Sequence, residues 1–78
     1  MDYSLRGYLE RRSTEELDII LVYAINNNIV KPEDTVKMII EILEEREKKM
    51  EFKITPQYRA LLTHYLQIAK EKEDNMAE

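Results

Sequence analysis

The residues of this sequence that could do chemistry are few, and their spacing does not favour catalysis or metal binding. His64 is the only histidine, and the chain has no cysteine. The positions three and four residues away from it hold Ala60, Leu61, Gln67 and Ile68. None of these is a metal ligand of the kind that helical sites use at those spacings. We therefore predict that His64 lies at the boundary of an apolar stripe, and we expect no metal, no cofactor and no small-molecule substrate.

Four glutamates lie close together in the middle of the chain, at Glu41, Glu44, Glu45 and Glu47. Catalytic carboxylates need burial or a charged neighbour that shifts their pKa. Here lysines and an arginine alternate with the glutamates, which is typical of a solvated helix face with i,i+4 ion pairs. The single glycine also excludes a glycine-rich loop that could bind phosphate. The sequence therefore predicts a protein that is not an enzyme.

A polar stripe that could contact nucleic acid lies near the C-terminal end of the chain. It consists of Arg59, Thr63, Gln67 and Lys70, which would share one face of a helix. Such side chains can reach phosphates and base edges. However, the chain has a net charge of −4, which disfavours binding to a polyanion. A solvated face is the favoured interpretation, and a small DNA-binding transcriptional regulator is the alternative function.

The composition favours one small globular domain that positions these residues. The chain has 78 residues, of which 44% are apolar and 36% are charged. The N-terminal segment does not resemble a signal peptide, and no apolar run approaches the roughly 20 residues of a membrane span. We therefore expect a cytoplasmic protein with no membrane partner. Residues 1–72 are expected to form a single helical domain, and residues 73–78 a mobile polar tail.

Apolar residues recur at helical spacing along most of the chain. This periodicity predicts long helices near 14–26, 32–50 and 56–72, with a shorter helix before residue 12. Short connections between them favour antiparallel neighbours. The predicted fold class is all-α, a small helical bundle. Its expected core contains Leu17, Ile20, Leu21, Ala24, Val36, Ile39, Ile40, Leu43, Leu61, Leu62 and Tyr65.

Local signals support the boundaries of these helices. Ser13 followed by Glu16 matches a capping box at the start of the first long helix. A proline stands at the first position of each of the two later helices, where its missing N–H costs nothing. Asn27 or Asn28 is expected to end the first long helix in the left-handed conformation. Met50 is expected to fill a gap in the core at the end of the second long helix.

The 14–26 segment carries more apolar residues than one helix face can hold. Because consecutive helical residues step by about 100°, its apolar side chains fall on two opposite sides. We expect the N-terminal helix to cover part of the second side and another chain to cover the rest. The candidate partner-binding residues are Ile19, Val22, Tyr23, Met38 and Ile42. The sequence thus predicts a non-catalytic protein–protein interaction module, first as a homodimer and second with a different protein. Alternatively, the helix is central and its own chain covers both sides.

Overall fold

Four α-helices make up the part of the chain that the structure describes. A computed structural model describes residues 4–76. In this range the helices are α1 (Leu5–Glu10), α2 (Thr14–Asn26), α3 (Pro32–Lys48) and α4 (Pro56–Met76). The predicted all-α bundle of three long helices and a short N-terminal one is confirmed. Of the expected polar tail, residues 77–78 lie outside the described residues.

Side-chain caps start α2 and α4 where the sequence predicts them. At α2, the Glu16 amide donates to Ser13 Oγ at 3.1 Å, and the Ser13 amide donates to Glu16 Oε1 at 2.9 Å. The hydrogen bonds that the Ser13 amide and the Ser13 hydroxyl make with the Glu16 carboxyl lower the pKa of that carboxyl. At α4, the Tyr58 amide donates to Thr55 Oγ1 at 3.1 Å. Each cap satisfies amides that would otherwise lack a partner in the first turn.

At the end of α2, Asn27 does not take the left-handed conformation that the sequence predicts for Asn27 or Asn28. Asn27 is extended, with φ −128° and ψ 162°, and its side-chain amide donates to the Tyr23 carbonyl at 2.9 Å. The left-handed residue of this connection is Lys31, with φ 52°. Because Lys31 precedes Pro32, the right-handed helical region is disfavoured for it. The left-handed residue between α2 and α3 lies three or four residues later than the sequence predicts.

The end of α3 also comes earlier than predicted, at Lys48. Met50 takes the left-handed conformation with φ 61°. Its amide donates to the Glu47 carbonyl at 2.9 Å, and the Glu51 amide donates to the Arg46 carbonyl at 3.0 Å. These two bonds form a Schellman motif, which terminates the helix. The chain reversal leaves the Met50 side chain 90% exposed, so the expectation that it fills the core is wrong.

The last helix, α4, continues to Met76 instead of ending near residue 72. Lys72 Nζ donates to the carbonyls of Ile25 and Asn27, at 2.8 and 2.9 Å. These contacts attach the C-terminal half of α4 to the end of α2. They also place a positive charge where the α2 dipole is negative. The predicted boundary between domain and tail at residue 72 therefore falls inside a helix.

The core lies around α3, which contacts each of the other three helices, while α2 and α4 also contact each other. Its buried cluster contains Leu9, Leu17, Leu21, Ile39, Ile42, Leu43, Ile54 and Leu62. Among the predicted core residues, Ala24 and Val36 are also buried, and Ile20, Ile40 and Tyr65 are partly buried against the cluster. Leu61 is 38% exposed, so its assignment to the core is wrong. Leu62, which was predicted beside it, is buried.

The N-terminal helix, α1, packs on α3 rather than on the outer side of α2. Leu9 is fully buried in the core cluster together with Ile42 of α3. Arg6 Nη1 lies 2.9 Å from Glu41 Oε1, and Arg6 Nη2 lies 3.3 Å from Glu45 Oε1. The side of α3 that was expected to be free is therefore covered within the chain. Ile42 is a core residue, and its prediction as a partner-binding residue is corrected.

A single arginine fixes the connection between α1 and α2 to α3. Arg46 Nη2 donates to the carbonyls of Arg12 and Glu10, at 2.6 and 3.2 Å, and Nη1 donates to Thr14 Oγ1 at 3.1 Å. The carbonyls at a helix end have no partner inside the helix. A guanidinium group presents several donors in one rigid plane, so it can satisfy both of them. Arg46 thereby holds α1 in the orientation that covers Ile42.

Candidate functional site

The outer side of α2 carries three exposed apolar residues. Ile19 is 67% exposed, Tyr23 is 59% exposed and Val22 is 37% exposed. At about 100° per residue, they lie on the side of the helix opposite Leu17 and Leu21, both of which are fully buried. The sequence predicts that α1 covers part of this side. It does not, because α1 packs on α3, and so the chain itself leaves these three side chains in contact with water.

Polar residues lie at both ends of this exposed stripe. Glu15 precedes Ile19 by one turn, and Asn26 follows Val22 by one turn. Both side chains are exposed. We call the set of Glu15, Ile19, Val22, Tyr23 and Asn26 the outer face of α2. Three apolar residues flanked by polar ones match the general form of an interface, which has an apolar centre and a polar rim.

A groove opens beside the N-terminal half of this face. Its volume is about 550 Å³, and Ile19 lines it together with Phe52, Thr55 and Tyr58. The Tyr58 hydroxyl donates to Asp18 Oδ1 at 3.0 Å. Burial, with this hydrogen bond, raises the pKa of the Tyr58 phenol, so the group remains a donor at neutral pH. Because Ile19 belongs to both features, the groove extends the apolar surface of the outer face toward α4.

Three of the five predicted partner-binding residues share this face, and two do not. Ile19, Val22 and Tyr23 lie together on α2, whereas Met38 and Ile42 lie on α3. Met38 is partly buried against the core cluster, and Ile42 is 3% exposed. Sequence reasoning missed Glu15 and Asn26 as members of the face, and it missed the groove. The spacing of 15, 19, 22 and 26 could have revealed the first two, because alternating steps of four and three follow one side of a helix.

The polar stripe of α4 is exposed at all four predicted positions, Arg59, Thr63, Gln67 and Lys70. Arg59 faces carboxylates of α3: Nη1 lies 3.3 Å from Glu44 Oε2, and Nη2 lies 3.4 Å from Glu47 Oε1. Gln67 Nε2 donates to Glu71 Oε1 at 3.1 Å. A phosphate approaching Arg59 would meet two negative charges next to it. This arrangement disfavours contact with a polyanion.

A second cavity, of about 520 Å³, lies between the α1–α2 connection and the C-terminal end of α3. Its charged lining residues are Arg12, Arg46, Lys49, Glu10, Glu45 and Glu51. Three positive and three negative side chains balance each other, so the cavity favours neither a cation nor an anion. The Arg46 donors are also used by backbone carbonyls. This cavity therefore lies in the packing around Arg46.

The only histidine, His64, is exposed, with its ring 6.4 Å from the Tyr65 ring. Among residues 4–76 there is no group of three or more His, Cys, Asp or Glu side chains that could hold a metal ion. In the same part of the chain, no helix combines the length and the apolar character needed to cross a membrane.

Comparison with known proteins does not add to this description. No family model matches the chain, and no curated protein or solved structure matches it significantly. The candidate site is therefore defined by its own geometry. It is the outer face of α2, with the groove that Ile19 shares with Phe52 and Tyr58.

Proposed function

We propose that this protein is a non-catalytic protein–protein interaction module that associates with a second copy of itself through the outer face of α2. The observation that carries this proposal is the exposure of Ile19, Val22 and Tyr23 on a helix whose other side is core. Moving a large apolar side chain fully out of water contributes roughly 1.5–3 kcal/mol. A cluster of such side chains on one helix face marks a surface that gains stability when it is covered.

The shape of the molecule supports a second copy as the occupant. The Cα atoms extend over 41 × 35 × 16 Å. Helix axes pack about 8–10 Å apart, so the shortest dimension corresponds to no more than two layers of helices. A thin domain of 78 residues has little interior, and small scaffolds commonly gain stability by oligomerising. A second copy laid against α2 would bury its exposed apolar side chains.

Oligomeric state as a function of concentration tests the proposal. We expect a monomer–dimer equilibrium in sedimentation velocity or light scattering at micromolar protein concentrations. A dissociation constant in this range corresponds to a binding free energy of about −8 kcal/mol. Ile19→Glu should shift the equilibrium to monomer, because two carboxylates would enter the contact, while the circular-dichroism spectrum stays unchanged. Val30→Glu is the matched control, since Val30 is exposed but lies outside α2, and it should dimerise like the parent chain.

Two other outcomes would contradict the proposal. A parent chain that stays monomeric up to several hundred micromolar, well above the dissociation constants of specific interfaces, would show that the outer face of α2 is not self-complementary. Retention of duplex DNA in a low-salt gel shift, where phosphate contacts are strongest, would favour the alternative of a DNA-binding regulator. That retention would have to weaken in Arg59→Ala and Lys70→Ala, since these residues carry the positive charge of the α4 stripe.

A further inference from the structure

We propose that the two copies pair through α2 in antiparallel orientation, about a twofold axis that passes between positions 20 and 21. In this arrangement Ile19 of each copy lies opposite Val22 of the other copy, and Glu15 lies opposite Asn26. The inference rests on the proposed function and specifies its geometry. It follows from the spacing of the outer face and from the charges at its two ends.

The spacing of the outer face is that of a helix–helix seam. Glu15, Ile19, Val22 and Asn26 follow one another by steps of four, three and four residues. With about 100° per residue, all four fall within about 60° of one another around the axis. Steps that alternate between four and three residues are those of the a and d positions of a coiled coil. The outer face can therefore meet a second helix along the whole length of α2, which has 13 residues.

The stripe is symmetric in position about its own midpoint. Ile19 and Val22 lie equally far from the point between residues 20 and 21, and Glu15 and Asn26 lie equally far beyond them. A twofold axis through this midpoint places Ile19 of each copy opposite Val22 of the other copy, so the two central contacts are both apolar. Tyr23 falls one residue, or about 1.5 Å, from the level of Ile19 of the other copy. Its ring then covers that isoleucine from the side, which accounts for a third apolar residue next to a two-residue centre.

The ends of the stripe distinguish the antiparallel from the parallel arrangement. Within residues 4–76, the Glu15 and Asn26 side chains make no hydrogen bond or ion pair. An antiparallel pair brings the Glu15 carboxylate, an acceptor, to the Asn26 amide, a donor. A parallel pair would bring the two Glu15 carboxylates together, and like charges across a helix contact repel. The helix dipoles also oppose each other only in the antiparallel pair.

Charge substitutions at Asn26 test the orientation. In the antiparallel pair, Asn26→Lys places a cation opposite Glu15 and should lower the dimer dissociation constant by about three- to tenfold, as for exposed ion pairs. Asn26→Asp should raise it by a similar factor. In a parallel pair, residue 26 of one chain would face residue 26 of the other chain. Two lysines or two aspartates would then repel each other, so both substitutions would weaken the dimer. Asn28→Lys and Asn28→Asp are matched controls, because Asn28 is exposed beyond the end of α2 and reports the effect of net charge alone.

Cross-linking provides a second measurement that does not depend on affinity. The chain has no cysteine, so single cysteines can be introduced without background. A mixture of Glu15→Cys and Asn26→Cys chains should form the mixed disulfide on oxidation, whereas each variant alone should cross-link poorly. Efficient cross-linking of Glu15→Cys with itself would overturn the antiparallel geometry while leaving self-association intact. A chain that is monomeric at every concentration would overturn both.

Discussion

The Tyr58 hydroxyl and the Asp18 carboxylate meet at 3.0 Å and join the first turn of α4 to the first half of α2. The two residues are 40 positions apart in the sequence. At the other end, Lys72 of α4 donates to the Ile25 carbonyl of α2. These two contacts follow both helices in the same direction, so α4 runs alongside α2 in parallel, with α3 as the antiparallel connection between them.

Removing the Tyr58 hydroxyl tests the first of these contacts. We expect Tyr58→Phe to lower the free energy of unfolding by about 1 kcal/mol, the usual net contribution of one hydrogen bond. Urea denaturation measures this change, and Tyr8→Phe is the control, because Tyr8 is exposed and lies outside the outer face of α2. If Asp18→Asn and Tyr58→Phe act additively in the double variant, the two residues are not coupled.

The same hydrogen bond predicts a loss of stability in alkaline solution. Burial raises the pKa of Tyr58 in the folded chain, and the Asp18 carboxylate adds to this effect. A group with a raised pKa contributes stability that is fully present below its unfolded pKa, about 10 for tyrosine. We therefore expect stability to fall as the pH rises above about 10. Tyr58→Phe should show a shallower fall, measured as the denaturation midpoint against pH.

The position of Ile42 predicts that a charge there unfolds the chain. Ile42→Glu would bury a carboxylate in the core cluster, and we expect loss of the helical circular-dichroism signal. For the same reason Leu43→Ala, at a fully buried position, should cost about 2–5 kcal/mol. Leu61→Ala should cost far less because its side chain is partly exposed. A helical, cooperatively unfolding Ile42→Glu variant would contradict the packing of α1 on α3.

The contacts of Arg46 predict that it stabilises the α1–α2 connection. Arg46→Met keeps most of the apolar stem but removes the donors to Glu10, Arg12 and Thr14. We expect a loss of about 2 kcal/mol, in the range for hydrogen bonds from a charged group. Arg46→Lys should recover only part of it, since an ammonium group lacks the planar donor arrangement. Equal stability of all three chains in urea would show that these bonds are replaced by water.

The left-handed conformation of Met50 predicts a stabilising substitution. A residue with a Cβ pays roughly 1–2 kcal/mol in this region, and glycine does not. Because the Met50 side chain is exposed, Met50→Gly loses little packing and should raise the free energy of unfolding by up to about 1 kcal/mol. Lys49→Gly is the matched control, because Lys49 has φ −84° and gains nothing from glycine. Equal effects at both positions would contradict the Schellman motif.

Local signals predicted the fold more accurately than they predicted how its faces are covered. The Ser13 and Glu16 pair specifies the start of α2, because the two side chains need only each other. In contrast, Ile42 lies off the main stripe of α3, and nothing within α3 indicates that Ile42 joins a core cluster that includes Leu9 of α1. Similarly, Asn27 can end a helix in more than one conformation, and nothing near it in the sequence indicates that Lys31 is the left-handed residue.

For the candidate site, the sequence predicted the exposed apolar side chains of α2 but not the polar residues and the groove that adjoin them. Ile19, Val22 and Tyr23 follow from the 100° step within a single helix, so the sequence was sufficient. Phe52 joins Ile19 in the groove only because the segment before α4 folds back against α2. Such a contact depends on tertiary packing, which the periodicity of one helix does not predict.

The central place of α3 has a consequence for the order in which the native structure opens. Because α1, α2 and α4 all pack on α3, no local opening can expose the α3 backbone without separating several helices. By contrast, α1 has six residues, and its attachment depends on Leu9 and a few contacts from Arg6 and Arg46. Amide hydrogens in α1 should therefore exchange with solvent through a small opening, and those in the middle of α3 only through global unfolding.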